Sequence, residues 1–147
     1  MASQKIHQER IKEHFQVLRE ATAIGIEQRV ATIGLHTSAC AIDLLEMYLH
    51  KAGKIPIGMQ VKHDWFKRPH PGQKILPLAE RKLPMSFPQK EAVLELFYTL
   101  EENRNILVYG HAAKDQVISS FNAFRKLKSF LLKMLAELGE EIEDPDQ

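Results

Sequence analysis

The chain has 147 residues, with 20 Lys and Arg against 19 Asp and Glu and a formal net charge of +1. That balance gives no whole-molecule pull toward nucleic acid, so binding of one would need a local basic patch. The single cysteine, Cys40, excludes an internal disulfide framework, suits a reducing interior and sits among small and apolar residues as a buried core thiol does.

The length suggests one domain, and 44% hydrophobic residues suffice for one core. No apolar run approaches the ~20 residues that span a bilayer. The N-terminus is charged and periodic and has no signal-type apolar centre. A cytoplasmic protein without a membrane partner is expected.

The first predicted helix starts at a Ser3 cap and buries Ile11, Phe15, Leu18 and Thr22 at three-and-four spacing. His7 and His14 fall near that stripe and read as boundary or exposed histidines. Gly25 ends or bends this helix. A second helix, from about Glu27 to Ala52, carries two apolar stripes. One is Val30, Gly34, Thr37, Ala41, Leu44 and Tyr48, and the other is Ala31, Leu35, Ser38, Ile42, Leu45 and Leu49. Burial on two sides predicts the central helix, and its small residues allow a close neighbour or a dimer seam. His36 and Asp43, seven apart, share one face. Gly53 is a helix stop.

Residues 54–88 hold six of the seven prolines and form the irregular part. Within them Lys62, Trp65, Lys67, Arg68 and Lys74 make a basic stretch interleaved with aromatics, a composition suited to tracking a phosphate backbone and stacking on bases. The alternative is a long connection whose Trp65 and Phe66 plug the end of the bundle. A short helix is expected within residues 73–82. Ser86-Phe87-Pro88 starts a helix that runs to about Asn103 with Val93, Leu94, Leu96, Phe97 and Leu100 inward. The longest helix comes next, from about Ala113 to Gly139. Residues 1–139 are therefore expected to form an antiparallel four- to five-helix bundle with one long Pro-rich connection, and residues 140–147 an acidic flexible tail.

The stretch Asn103 to His111 concentrates the chemistry. If Gly110 does not break the helix, Arg104 and His111 are close to two turns apart and share a face, with Asn105 at its edge. Histidine exchanges protons near neutral pH, arginine offers a permanent planar fork to a phosphate, and asparagine positions an oxygen. That set suits phosphodiester cleavage without metal or cofactor. By spacing alone, a capping or salt-bridged role is the ordinary alternative.

Arg104-Asn105-Ile106-Leu107-Val108-Tyr109-Gly110-His111, late in a small helical bundle, resembles the HEPN superfamily, whose motif is Arg, four to six residues, then His, commonly with a polar residue after the Arg. The architectural likeness covers about residues 4–138, and the specific motif nine residues. The resemblance implies a homodimer in which two motifs meet at a cleft and cleave RNA, with Arg104, Asn105 and His111 as the catalytic set, no metal and no cofactor. It implies as the alternative a catalytically inactive module that binds a minimal nucleotidyltransferase partner or a nucleotide, as in toxin–antitoxin pairs. In the toxin-type motif, His stands where Tyr109 does here and Tyr where His111 does. That departs from the subtype and leaves Tyr109 a bystander.

Overall fold

The computed structural model describes residues 4–146, all helical or irregular, with no strand among them. The Ser3 cap and the last tail residue, Gln147, lie outside the described residues. Helix α1 spans Gln4–Ile24, and a single 3₁₀ turn, Ile26–Gln28, leads into α2, Val30–Lys51. A second 3₁₀ turn, His63–Phe66, and the short α3, Leu78–Lys82, punctuate the connection to α4, Lys90–Tyr109, which precedes α5, Lys114–Glu137.

Helix α2 is the hub, packed against α1, α4 and α5, while α4 and α5 also pack on each other. This is the bundle that the two apolar stripes of α2 predict. By length and hydropathy α2 is apolar enough to cross a membrane, contrary to the sequence expectation, but most of it is buried by its neighbours. Gly25, with φ at 124°, separates α1 from the 3₁₀ turn. Gly53, at φ 69°, closes α2 while the Lys54 amide donates to the Leu49 carbonyl at 2.8 Å.

Gly34 sets the distance between α2 and the end of α4. A Cβ there would lie 2.6 Å from Leu107 Cβ and 3.2 Å from Val108 Cγ2. The nearer atom is fixed to the α4 backbone, so no rotamer change relieves the contact. The small-residue face thus serves packing within one chain at this point. For Gly34→Ala, overpacking of about 1–3 kcal/mol outweighs the ~1 kcal/mol of better helix propensity. A net loss of about 1–2 kcal/mol is expected in urea unfolding. An unchanged midpoint would show that α4 can retreat freely.

The connection is anchored along its first half. The Val61 amide donates to Glu46 Oε1 at 2.7 Å, and His50 Nε2 pairs with the Met59 carbonyl at 2.9 Å. Trp65 and Phe66 are buried, Phe66 stacks on Phe97, and Lys82 lies over the Trp65 ring. Arg68 reaches α4 through Glu95 and Glu102 and lies over the Tyr98 ring. Farther on, Lys90 Nζ donates to the carbonyls of Leu83 and Met85, each at 2.7 Å, which folds the chain back before α4.

Three expectations change. Helix α4 runs on through Arg104 to Tyr109 instead of stopping near Asn103, and the expected short helix covers only Leu78–Lys82. The acidic segment 140–146 does not hang free: Glu140 pairs with Lys51 at 2.6 Å, Ile142 packs on the core, and Asp144 and Asp146 both meet Lys128. The physical reason is Lys128 itself, a cation 4% exposed on an apolar helix face, which needs anions beside it.

Candidate functional site

The second apolar stripe of α2 is not covered along its whole length. Leu35, Ser38, Ala39 and Ile42 floor an open groove of about 400 Å³. Asp43 closes one part of it, Val61 to Asp64 form a wall, and Arg104 of α4 completes the lining. Small side chains at Ser38 and Ala39 leave the space, and the close Gly34–Leu107 contact brings the Arg104 turn of α4 near it.

Arg104 is half-buried and makes no hydrogen bond or ion pair among the described residues. A planar cation held partly out of water without a carboxylate is a ready phosphate ligand. Its neighbours on the groove wall are already engaged or exposed. His63 Nδ1 lies 2.9 Å from Oε1 of the buried Glu101, and Lys62 and Asp64 are exposed. Asn105, one step round α4, is exposed.

His111 does not continue the helix face. Gly110 takes an extended conformation, its amide donating to the Ile106 carbonyl at 3.0 Å, and α4 ends at Tyr109. His111 therefore stands in the link to α5, exposed, two residues past the helix. The shared helix face expected for Arg104 and His111 is lost, because Gly110 breaks the helical path. Both side chains remain accessible, and a single chain does not close them into one triad by helix periodicity.

The basic stretch divides. Trp65 is 8% exposed and packed in the core, so it presents no face on which a base could stack. Arg68 spends its fork on Glu102 and Glu95, which in that order raise its pKa further. These two serve as the plug and the brace of the connection. Lys67 and Lys74 stay exposed, and Lys62 faces the groove. No family model, curated protein or solved structure matches the chain.

The polar network behind the groove was not foreseen from the sequence. His7 is 1% exposed, not a boundary residue. Its Nδ1 lies 3.1 Å from Asp43 Oδ1, and its Nε2 lies 2.8 Å from Glu46 Oε2 as an ion-pair contact of poor hydrogen-bond alignment. Asp43 first, then Glu46, raise the His7 pKa to about 9 against the opposing effect of burial.

Burial pushes Asp43 up, but His14 and His7 outweigh it and hold its carboxyl below the ordinary value. Glu46 behaves alike, with His7 and the Val61 amide prevailing over burial. His14 Nε2 approaches Asp43 Oδ2 at 3.4 Å, and its Nδ1 shares a hydrogen with His36 Nδ1 at 2.9 Å. Burial, then the His14 charge, lower the His36 pKa. The signal in the sequence was His36 and Asp43 on one face of an otherwise apolar helix; their link through His14 of α1 needed the fold.

Among the described residues no group of three or more His, Cys, Asp or Glu is placed to hold a metal ion. The Cys40 thiol is fully buried, which pushes its pKa well up and leaves it a packing residue.

Proposed function

We propose that the protein is a metal-independent endoribonuclease of HEPN type, whose site forms where two copies bring their Arg104, Asn105 and His111 together. One observation carries the reading: Arg104 is a half-buried guanidinium without a partner among the described residues, at the edge of an open groove, with Asn105 and His111 accessible at the same end of α4. The exposed Leu35 on the groove floor offers apolar surface for a second copy.

In this reading the RNA 2′-hydroxyl attacks the adjacent phosphorus and the 5′-oxygen leaves. His111 takes the 2′ proton, and His111 of the second copy gives a proton to the departing oxygen. Arg104 stabilises the charge gathering on the non-bridging oxygens, and Asn105 positions one of them. The products are a 2′,3′-cyclic phosphate and a 5′-hydroxyl. The test incubates purified protein with RNA in EDTA and identifies the ends. Cleavage with cyclic ends, lost in Arg104→Ala and His111→Ala, supports the proposal. A folded, dimeric protein that leaves RNA intact overturns it.

A second reading has one observation in its favour. Tyr109 is 79% exposed at the end of α4, an aromatic open to a partner surface. A catalytically silent module that docks a minimal nucleotidyltransferase, or binds a nucleotide, would use such a surface. Intact RNA together with tight, Tyr109-dependent binding of such a transferase would favour this reading.

A further inference from the structure

Lys128 is an unusual choice at its position. It sits on the core-facing side of α5 with its ammonium 5.6 Å from the centre of the Phe15 ring and 5.9 Å from that of Phe124. A lone ammonium in such a bed is costly unless an anion accompanies it. The anions are Asp144, at 2.9 Å, and Asp146, both from the segment beyond Gly139. Gly139, at φ 86°, lets the chain turn from the end of α5 back along the bundle.

That segment covers a surface of opposite charge. On one side it lies by Lys12 and Arg19 of α1, across a cleft of about 680 Å³ that Glu141, Glu143 and Asp144 also line. On the other side it lies by Arg125 and Lys126 of α5, across a cleft of about 450 Å³. These four cations make no hydrogen bond or ion pair among the described residues. Lys12 and Arg19 are two turns apart, a rise of about 10.5 Å, too far for one phosphate to serve both. Residues 140–146 carry five carboxylates, spread along the segment like the charges of a polyanion.

We propose that the surface between α1 and α5 around Lys128 binds the phosphate backbone of single-stranded RNA, and that the acidic strap 140–146 occupies that surface in the free protein. The choice of RNA rests on the function proposed above; the strap and its buried lysine do not. The strap is a self-docked competitor. Glu140 and Ile142 keep it tethered while Asp144 and Asp146 yield Lys128 to an incoming phosphate.

The test reads binding, not cleavage, on an Arg104→Ala background, so it stands apart from the catalytic question. The probe is a fluorescently labelled single-stranded RNA, titrated at several salt concentrations. Asp144→Asn with Asp146→Asn keeps the strap's length and removes its claim on Lys128. The expected result is affinity tighter by about tenfold at low salt, with a log–log salt slope steeper by ~0.7 for each additional phosphate neutralised. Adding Lys128→Met, which keeps the apolar stem, should cancel the gain.

Unchanged affinity in the double variant, or a gain that survives Lys128→Met, would overturn the proposal and leave the strap a structural staple. A second measurement needs no substitution at Lys128. Hydrogen exchange in the amides of residues 141–146 should quicken when RNA is added to the unmodified protein. Unchanged or slower exchange there would count against displacement.

Discussion

His7→Ala is expected to destabilise the protein by about 3–5 kcal/mol, the range for removing one partner of a buried ion pair. The substitution removes the cation that both Asp43 and Glu46 contact, leaving Glu46 with the Val61 amide and Asp43 with His14 and, at 3.7 Å, the exposed Arg10. For a chain of this size that corresponds to a fall of about 10 °C in the thermal midpoint.

The same residue sets an alkaline limit. The His7 pKa is raised from 6.5 to about 9, so its contribution is complete below about pH 6.5 and is lost as the pH climbs through about 9. Asp43 and Glu46 have lowered values, so their contributions hold above the ordinary carboxylate range and fade as the pH falls below it. Stability should therefore be greatest between about pH 5 and 6.5 and decline toward pH 9. Thermal unfolding at pH 6 and pH 9 checks this. The alkaline decline should be largely absent in His7→Ala, and a decline of equal size in both proteins would show that another group sets it.

The second large effect falls on the proposed reaction. His111→Ala should lower RNA cleavage by about 10²–10⁴-fold, the usual share of a positioned acid–base group. The side chain is exposed in the link between α4 and α5, so the fold should not suffer. Arg104→Lys should also impair cleavage although it keeps the charge, because a lysine has no planar fork to hold two oxygens at once. Single-turnover rates with the protein shown to be dimeric separate this from lost assembly. Full activity in His111→Ala would remove it from the chemistry.

The bundle was legible because period and length agree over long segments. Helix α2 announced its central place through two apolar stripes, and Gly25 and Gly53 marked its neighbourhood correctly. Legibility failed where a helix continued past its clearest pattern. Ile106 and Leu107 pack inward on the last turns of α4, but the polar run Glu101 to Asn105 hid that continuity.

The site was legible only as residue types. Arg104 could be singled out, but its groove depends on Gly34, on the small side chains of α2 and on a wall from the connection. The geometry of His111 turned on the backbone at Gly110, a residue type that continues or breaks a helix according to its tertiary setting. His7 was misjudged because a histidine on a stripe edge becomes a core cation only if two carboxylates on another helix meet it. That is tertiary information. The burial of Lys128 likewise depends on the fold, its counter-charges lying in a segment that composition alone marks as flexible.

The connection between α2 and α4 is held unevenly, and this bears on how the chain can be divided. From Val61 to Arg68 it is tied to α2 and α4 by side chains, while residues 70–76 are exposed, with a turn at Gln73 and the Arg81 contact to the Leu76 carbonyl as their holds. A protease should cut there first. The pieces would carry α1 and α2 on one side and α4 and α5 on the other, and α2 packs against both of the latter. Each fragment keeps its own helix pair but loses the packing of α2 on α4 and α5, so the nicked protein should stay together as a noncovalent pair, and the two fragments made separately should gain stability when mixed.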